Sequence, residues 1–297
     1  MTATPAPIRP TTPIDVAPVG DRGKVWRRRI AYGFLIAYAL LMFVPFAWMV
    51  ITSFKTQVDA VQMTFIPDPV TLQGWQNALT TLNPNIVRLF INSAIIAGTV
   101  TVTNVVLGSM AGYAFARLRF PGREALFILV LGTMMIPDQL RMVPVYQLMR
   151  QFGLTVGPLQ YVAVILVLAI AAISVFLLRQ YFLSIPRDLE EAAKIDGAGF
   201  FTTFWRVMLP LATPAIAAVA ILQFQGSWNG FFWPLILISD RSQYTLPLGL
   251  SFFRQQFQTQ YPELMAVSIS ATIPILVLYL FFQRYFVEGI AASGVKG

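Results

Sequence analysis

The chain has 297 residues, 57% hydrophobic and 11% charged, with a mean hydropathy of +0.67 and a net charge of +8. A soluble domain carries roughly a quarter charged residues, so this composition cannot clothe a water-facing surface and predicts lipid as the solvent. The absence of cysteine and histidine excludes disulfides, thiolate metal sites and imidazole catalysis, and the basic residues stand in short clusters beside apolar runs, not in a patch suited to nucleic acid.

In chain order, Pro5, Pro7, Pro10, Pro13 and Pro18 among Thr and Ala predict a disordered tail over 1–26. The first apolar run, Ile30–Phe54, follows Arg27, Arg28 and Arg29. It exceeds the roughly 7–15 residues of a signal-peptide core and suits a spanning helix, which needs about 20 apolar residues. Together with an outer segment, Thr56–Val87, that carries Trp75, it makes a unit over 27–87. The core, 88–285, opens with Leu89–Ala116, followed by Arg117, Arg119 and Arg123. Ala125–Pro137 is short, so its helix either continues past Asp138 and Arg141 or breaks at Pro137. Asp138 and Arg141, at i and i+3, read either as a pair or as a solvated helix end. Met142, Val145, Leu148 and Met149 then recur at helical spacing and predict an amphipathic helix along the outer interface.

Leu159–Leu178 reads as a clean, unbroken span. Val207–Ile238 is uncharged but punctuated by Pro210, Pro214, Gly226, Gly230 and Pro234. The segment Ser239–Glu263 is polar and aromatic, with Tyr244, Phe252, Phe253, Phe257 and Tyr261, and either lies on the membrane surface or faces an external partner. Leu264–Phe282 is the last span, kinked at Pro274, before a tail over 286–297. The fold class is therefore an all-α integral membrane protein with six transmembrane helices. With the N-terminus in the cytoplasm, 15 of the 21 Lys and Arg fall on the inner side, which places both termini inside. That assignment depends on the third helix crossing.

Between the fourth and fifth spans the chain turns polar. Arg187, Asp188, Glu190, Glu191, Lys194 and Asp196 would cost about 2.5–3.5 kcal/mol each at the bilayer centre, so this stretch stays in water. It is nevertheless a good helix. Pro186 suits the first turn, the acidic residues complement the N-terminal dipole, and Gly197 suits a left-handed C-cap. Leu189, Ala192 and Ala193 make a narrow stripe at i, i+3 and i+4.

Glu191-Ala192-Ala193, then Asp196-Gly197-Ala198, then Leu209-Pro210 and Pro214 resemble the EAA motif of ABC-importer permeases. Arg88-Leu89-Phe90-Ile91-Asn92-Ser93 resembles the entry to the permease core. Gly226 to Pro234 resembles the fifth-helix pattern of carbohydrate permeases. Val287-Glu288-Gly289-Ile290 and Gly294-Val295-Lys296-Gly297 resemble the tail of the second subunit of maltose-type importers. The resemblance implies a type I permease fold. Its coupling helix, around Glu190 to Gly199, would dock in a cleft of a cytoplasmic ATPase, with Glu191 at that interface and Gly197 turning the chain. It implies, as partners, a second permease subunit, an ABC ATPase dimer that carries the ATP and Mg²⁺, and an extracytoplasmic sugar-binding protein, in a prokaryotic cell membrane.

The residues themselves agree with a division of labour. No G-x-x-x-x-G-K-[ST] occurs, so the chain holds no P-loop of its own, and no cofactor is expected on it. No ionisable residue lies inside a confident span, which disfavours an ion-coupled secondary transporter and suits a neutral, hydroxyl-rich cargo. Gln223, Gln225, Ser227, Trp228, Asn229 and Trp233 combine amides with flat rings, the chemistry a sugar needs along its path. The two tryptophans equally suit helix packing or the interfacial belt, and Asn92 and Asn104 suit bonds between helices. A channel, a membrane anchor, and an ABC permease for another small solute such as glycerol phosphate are the competing readings.

Overall fold

The computed structural model describes residues 22–81, 83–256 and 260–294, with side chains from Trp26 onward except at 252–256 and 283–294. Of the tail predicted over 1–26, residues 1–21 lie outside the described part and Arg22–Trp26 are helical, not disordered; Val295, Lys296 and Gly297 and the side chains of Phe252, Phe253, Phe257, Val287, Glu288 and Ile290 also lie outside it. All regular structure among the described residues is helical. The principal helices are α1 (Arg22–Ser53), α2 (Ile86–Arg117), α3 (Arg123–Gly132), α4 (Asp138–Gln151), α5 (Gln160–Leu168), α6 (Ala172–Ser184), α7 (Asp188–Ile195), α8 (Thr213–Trp228), α9 (Phe232–Leu237) and α10 (Tyr261–Gly294). The described chain divides between residues 48 and 49 into two compact units. The apolar part of α1, Trp26–Ser53, is long enough to span a bilayer by itself.

Among the described residues, three stretches are long and apolar enough to cross unaided: Trp26–Ser53, Ile86–Arg117 and Tyr261–Phe282. Three more qualify only as bent pairs, giving up to six. The chain turns by 103° between Arg123–Met135 and α4, by 42° between Gly157–Leu168 and α6, and by 76° between Phe200–Leu211 and α8. The first bend falls at Pro137, which leads into α4 in extended backbone (ψ 144°). The helix therefore breaks there instead of continuing. Asp138 and Arg141 do pair, with Arg141 Nε donating to Asp138 at 2.9 Å. Met142, Val145 and Met149 turn inward along α4, while Leu148 is exposed.

The second bend corrects an expectation. Leu159–Leu178 is not one clean span but two helices separated at Ala169–Ala171. The break carries neither proline nor glycine, and its cause lies on another helix, as described below. The fifth span is also shorter than Val207–Ile238. Val207 belongs to the arm before the 76° bend, and α8 ends at Trp228.

Helix α2 is the centre of the larger unit and packs along both α6 and α8. Asn85 caps its start, accepting from the Arg88 backbone N–H at 3.0 Å. Gly108 and Gly112 let α6 approach closely. A Cβ at Gly112 would lie 2.9 Å from the Arg179 backbone nitrogen and 2.9 Å from Leu178 Cβ. Small residues at such contacts are how apolar helices associate where lipid removes the hydrophobic drive. One buried cluster gathers Ile96, Val100, Trp228, Trp233, Leu246 and Val267; a second, toward Arg117, gathers Tyr113, Leu178, Phe182, Phe204 and Met208.

At the other end of α2, the segment after α1 forms two short helices, Gln57–Val61 and Gln73–Thr80, set against the start of α10. Trp75 Nε1 donates to Ser53 Oγ at 3.2 Å, and Asn77 Nδ2 donates to Glu263 Oε1 at 2.7 Å. Asp240 accepts from the Ser242 backbone N–H at 2.9 Å and from its hydroxyl at 2.8 Å. These bonds, the backbone one foremost, hold its carboxyl below the usual carboxylate range.

Replacing Gly112 by alanine forces a methyl into the α2–α6 contact and is expected to cost about 1–3 kcal/mol. Gly98 lies on the same helix with nothing within 4 Å of a built Cβ, so Gly98→Ala is expected to be neutral or stabilising. Thermal unfolding in detergent checks both; equal melting temperatures for the two variants contradict the close-contact account.

Candidate functional site

Between α6 and α8 lies a charged hairpin, built from local backbone chemistry. Asp188, Glu190 and Glu191 occupy the first turn of α7 and Lys194 its last, matching the helix dipole at both ends. Gly197 ends the helix with φ 81°. Its N–H donates to Lys194 O at 3.0 Å, and the Ala198 N–H donates to Ala193 O at 2.9 Å. These are the two bonds of a Schellman motif, which requires the left-handed backbone that glycine adopts without strain. The return arm runs through the helix Phe200–Thr203 and a π-helical turn, Phe204–Met208, to Leu209 and Pro210. Thr213 Oγ1 donates to Pro210 O at 2.6 Å across the bend into α8.

The two faces of α7 are unlike. Ala193 is buried, and the Glu190 carboxylate lies 3.2 Å from Arg117 Nε, their side chains only 13% and 4% exposed. Leu189, Glu191, Ala192, Lys194, Ile195 and Asp196 are exposed, Ile195 to 86%. The predicted stripe of Leu189, Ala192 and Ala193 is thus divided: Ala193 turns toward the chain's own helices, and the outward apolar residues are Leu189, Ala192 and Ile195. The stripe was too narrow to fix the rotation of the helix, which the inward pull of Glu190 on Arg117 settles.

Arg117 ends α2. Its terminal nitrogen donates to Phe182 O at 2.6 Å and also to Ile185 O, carbonyls at the C-terminus of α6. A cation there satisfies orphan acceptors and opposes the dipole. Beside it, Tyr113 contacts Phe182, Phe200 and Phe204 with ring centroids 5.5, 5.5 and 5.1 Å away.

Deeper in the bundle, Asn104 of α2 sits fully buried against the break between α5 and α6. Its Nδ2 donates to Leu168 O at 2.7 Å, and its Oδ1 accepts from the Ala171 N–H at 2.7 Å and from Ser174 Oγ at 3.1 Å. Gln223 of α8 donates to Ser174 Oγ at 2.9 Å. One amide thereby bonds a carbonyl on one side of the break and an N–H on the other, and joins three helices. Asn92 similarly donates to the carbonyls of Ser242 and Tyr244, each at 2.9 Å.

The six residues expected along a path do not share one surface. Trp228 is 2% exposed. Its Nε1 donates to Ala271 O at 2.9 Å, and its ring stacks on Phe224 at 5.6 Å. Trp233 is also buried, with the Arg141 guanidinium 5.7 Å from its ring. Both rings are packed in this conformation, not open to a channel. Gln223 is half-buried in the network with Ser174, and Ser227 is half-buried with its hydroxyl enclosed. Gln225 and Asn229 are exposed, four residues apart on one side of α8 and its C-cap. Arg117 and Ile195 were not singled out from the sequence. Arg117 looked like one of several inner-side charges, and Ile195 like a spacer inside the motif.

Straight and bent apolar helices of spanning length, joined by a charged hairpin, define an all-helical membrane protein. The chain belongs to the family of binding-protein-dependent transport system inner membrane components, which matches residues 104–291. It is 37% identical over 284 residues to the arabinooligosaccharides transport system permease protein of Halalkalibacterium halodurans, covering 92% of this chain and 96% of the relative. It is 32% identical over 266 residues to the sn-glycerol-3-phosphate transport system permease protein of Yersinia enterocolitica, covering 87% of this chain and 94% of that one. Among solved structures, a chain from a bacterial ABC transporter involved in the import of the acidic polysaccharide alginate shares the fold, with a TM-score of 0.77 at 23% identity over 91% of this chain and all of that one.

Asn104→Leu keeps the volume and removes every side-chain bond that α2 makes to the break. It is expected to destabilise the detergent-solubilised protein by about 1–2 kcal/mol and to speed hydrogen exchange at Ala171. An unchanged exchange rate there contradicts the role given to Asn104.

Proposed function

We propose that this chain is one of two membrane-spanning subunits of an ABC importer that moves a sugar of di- or oligosaccharide size, driven by a separate ATPase that docks on α7. The observation that carries the reading is the outward face of α7. A C-capped helix in water that presents Leu189, Ala192 and an isoleucine exposed to 86% beside Glu191 offers an apolar anchor ringed by charge, the pattern of a protein contact. The family supplies the reason for a partner. The sugar rests on the arabinooligosaccharide relative, and on the exposed polar groups of α8 and its C-cap, Thr213, Gln225 and Asn229, which are all neutral.

On this reading the residues Glu190 to Gly197 with Leu209 and Pro210 form the coupling motif in the cytoplasm, and both chain termini lie on the same side. The permease core runs from 88 to 285. ATP and Mg²⁺ are bound by the ATPase dimer, while a second permease and an extracytoplasmic sugar-binding protein complete the assembly. Gln225 and Asn229 face the path between the two permeases, because an exposed amide is costly against lipid. Glycerol phosphate is the second substrate reading, supported by the Yersinia relative. It calls for basic groups on the path, which would have to come from the partner permease.

Purification of the tagged chain in detergent tests the assembly. The wild type is expected to carry an ABC ATPase and a second permease, and Glu191→Ala combined with Gly197→Pro is expected to lose the ATPase while keeping the permease. Absence of any ATPase from the wild type overturns the reading. In proteoliposomes with the binding protein, ATP hydrolysis is expected to rise with oligosaccharides and not with glycerol 3-phosphate; the reverse order selects the second substrate. Asn229→Ala is expected to lower sugar uptake in the assembled transporter.

A further inference from the structure

The motif holds two adjacent glutamates, and the structure separates them. Glu191 points to solvent; Glu190 points into the chain's own helices, toward Arg117. Arg117 is the last residue of α2, its carbonyl partners Phe182 and Ile185 end α6, and Glu190 sits in the first turn of α7. One guanidinium therefore touches the ends of two membrane helices and the start of the hairpin helix.

The two halves of this contact differ in kind. The carbonyl bonds are directional and anchor Arg117 to α6. The contact to Glu190 is 3.2 Å long but lacks the alignment of a hydrogen bond, so it holds by charge and tolerates a small rotation of α7. Beyond it, the main support of α7 among the described residues is its own return arm, the Phe200–Thr203 helix and the π-helical turn. A buried ion pair adds little net stability against a well-packed apolar pair; its value lies in fixing which groups move together.

Resting on the reading of α7 as the coupling helix, we propose that Arg117 and Glu190 are positioning residues. They form the joint that passes displacement of α7 to α2 and α6, while Glu191 is left for the ATPase. Pulling α7 moves the carboxylate, the carboxylate draws the guanidinium, and the guanidinium carries the ends of both membrane helices. Without the charge, α7 can tilt on its aromatic arm while α2 and α6 stay in place.

The test uses the complete transporter in proteoliposomes, reading sugar molecules moved per ATP hydrolysed. That ratio is independent of how much of the preparation is folded, because inactive complexes contribute to neither number. Glu190→Gln keeps an acceptor of the same shape and leaves Arg117 its two carbonyl bonds. It is expected to retain the ATPase on purification and to lower the ratio at least about twofold, within the range by which residues on a coupling route alter coupling. Arg117→Lys keeps the charge but not the forked geometry and is expected to lower the ratio as well, and the double variant to lower it no further than the worse single one. An unchanged ratio in Glu190→Gln with the ATPase still bound overturns the joint and leaves the proposed function standing. Loss of the ATPase from Glu190→Gln overturns the division of roles between the two glutamates. A wild-type chain that purifies without any ATPase overturns both.

Discussion

Backbone polar groups in lipid have no water to turn to, and this fold is arranged around that constraint. A helix can break inside a bilayer only if something else supplies the hydrogen bonds that the break releases. At Ala169–Ala171 that supply is Asn104, whose amide gives to Leu168 O and takes from the Ala171 N–H. An asparagine suits the place because its donor and acceptor stand on separate atoms that reach both sides of the break, whereas a hydroxyl carries both on one oxygen. The position of α2 follows from it: α2 has to lie against the break, and Gly108 and Gly112 let it come close enough.

The parts that were legible in the sequence are those decided by local chemistry. Pro137 turns the chain because its ring bars the helix from continuing. Gly197 ends α7 because the Schellman geometry calls for positive φ, and charges crowded between 187 and 196 could only belong in water. The parts that were not legible are decided at long range. Nothing between Leu159 and Leu178 announces a break, because its cause sits more than sixty residues earlier in α2. The rotation of α7 depends on a partner at Arg117, and three small apolar residues spread over a third of a turn do not specify it. Trp228 and Trp233 carry the ring chemistry of a sugar site and of a helix core alike, and only Ala271 and Phe224 show that Trp228 packs.

The hairpin has a rigid inner attachment and an open outer face. Aromatic rings around Tyr113, a π-helical turn and one ion pair hold the inside, while the outside offers aliphatic side chains among charges. A π-helical turn takes an extra residue per turn and weakens the regular ladder, so the return arm yields more easily than α7, whose C-terminus is closed by two backbone bonds. In the docking role proposed for α7, stiffness in the outer part and compliance in the part behind it suit an element moved as a unit.

The broken helix also bears on how the protein is made. Neither α5 nor α6 is long enough to cross a bilayer by itself, and the pair exposes backbone at its middle until the amide of Asn104 reaches it. Because α2 emerges from the ribosome first, that amide is already at membrane depth when the break arrives. The order of the helices along the chain therefore serves as an assembly schedule: the side chain that completes the most awkward segment is delivered ahead of it, and membrane insertion can proceed from the N-terminus with its remedy in place.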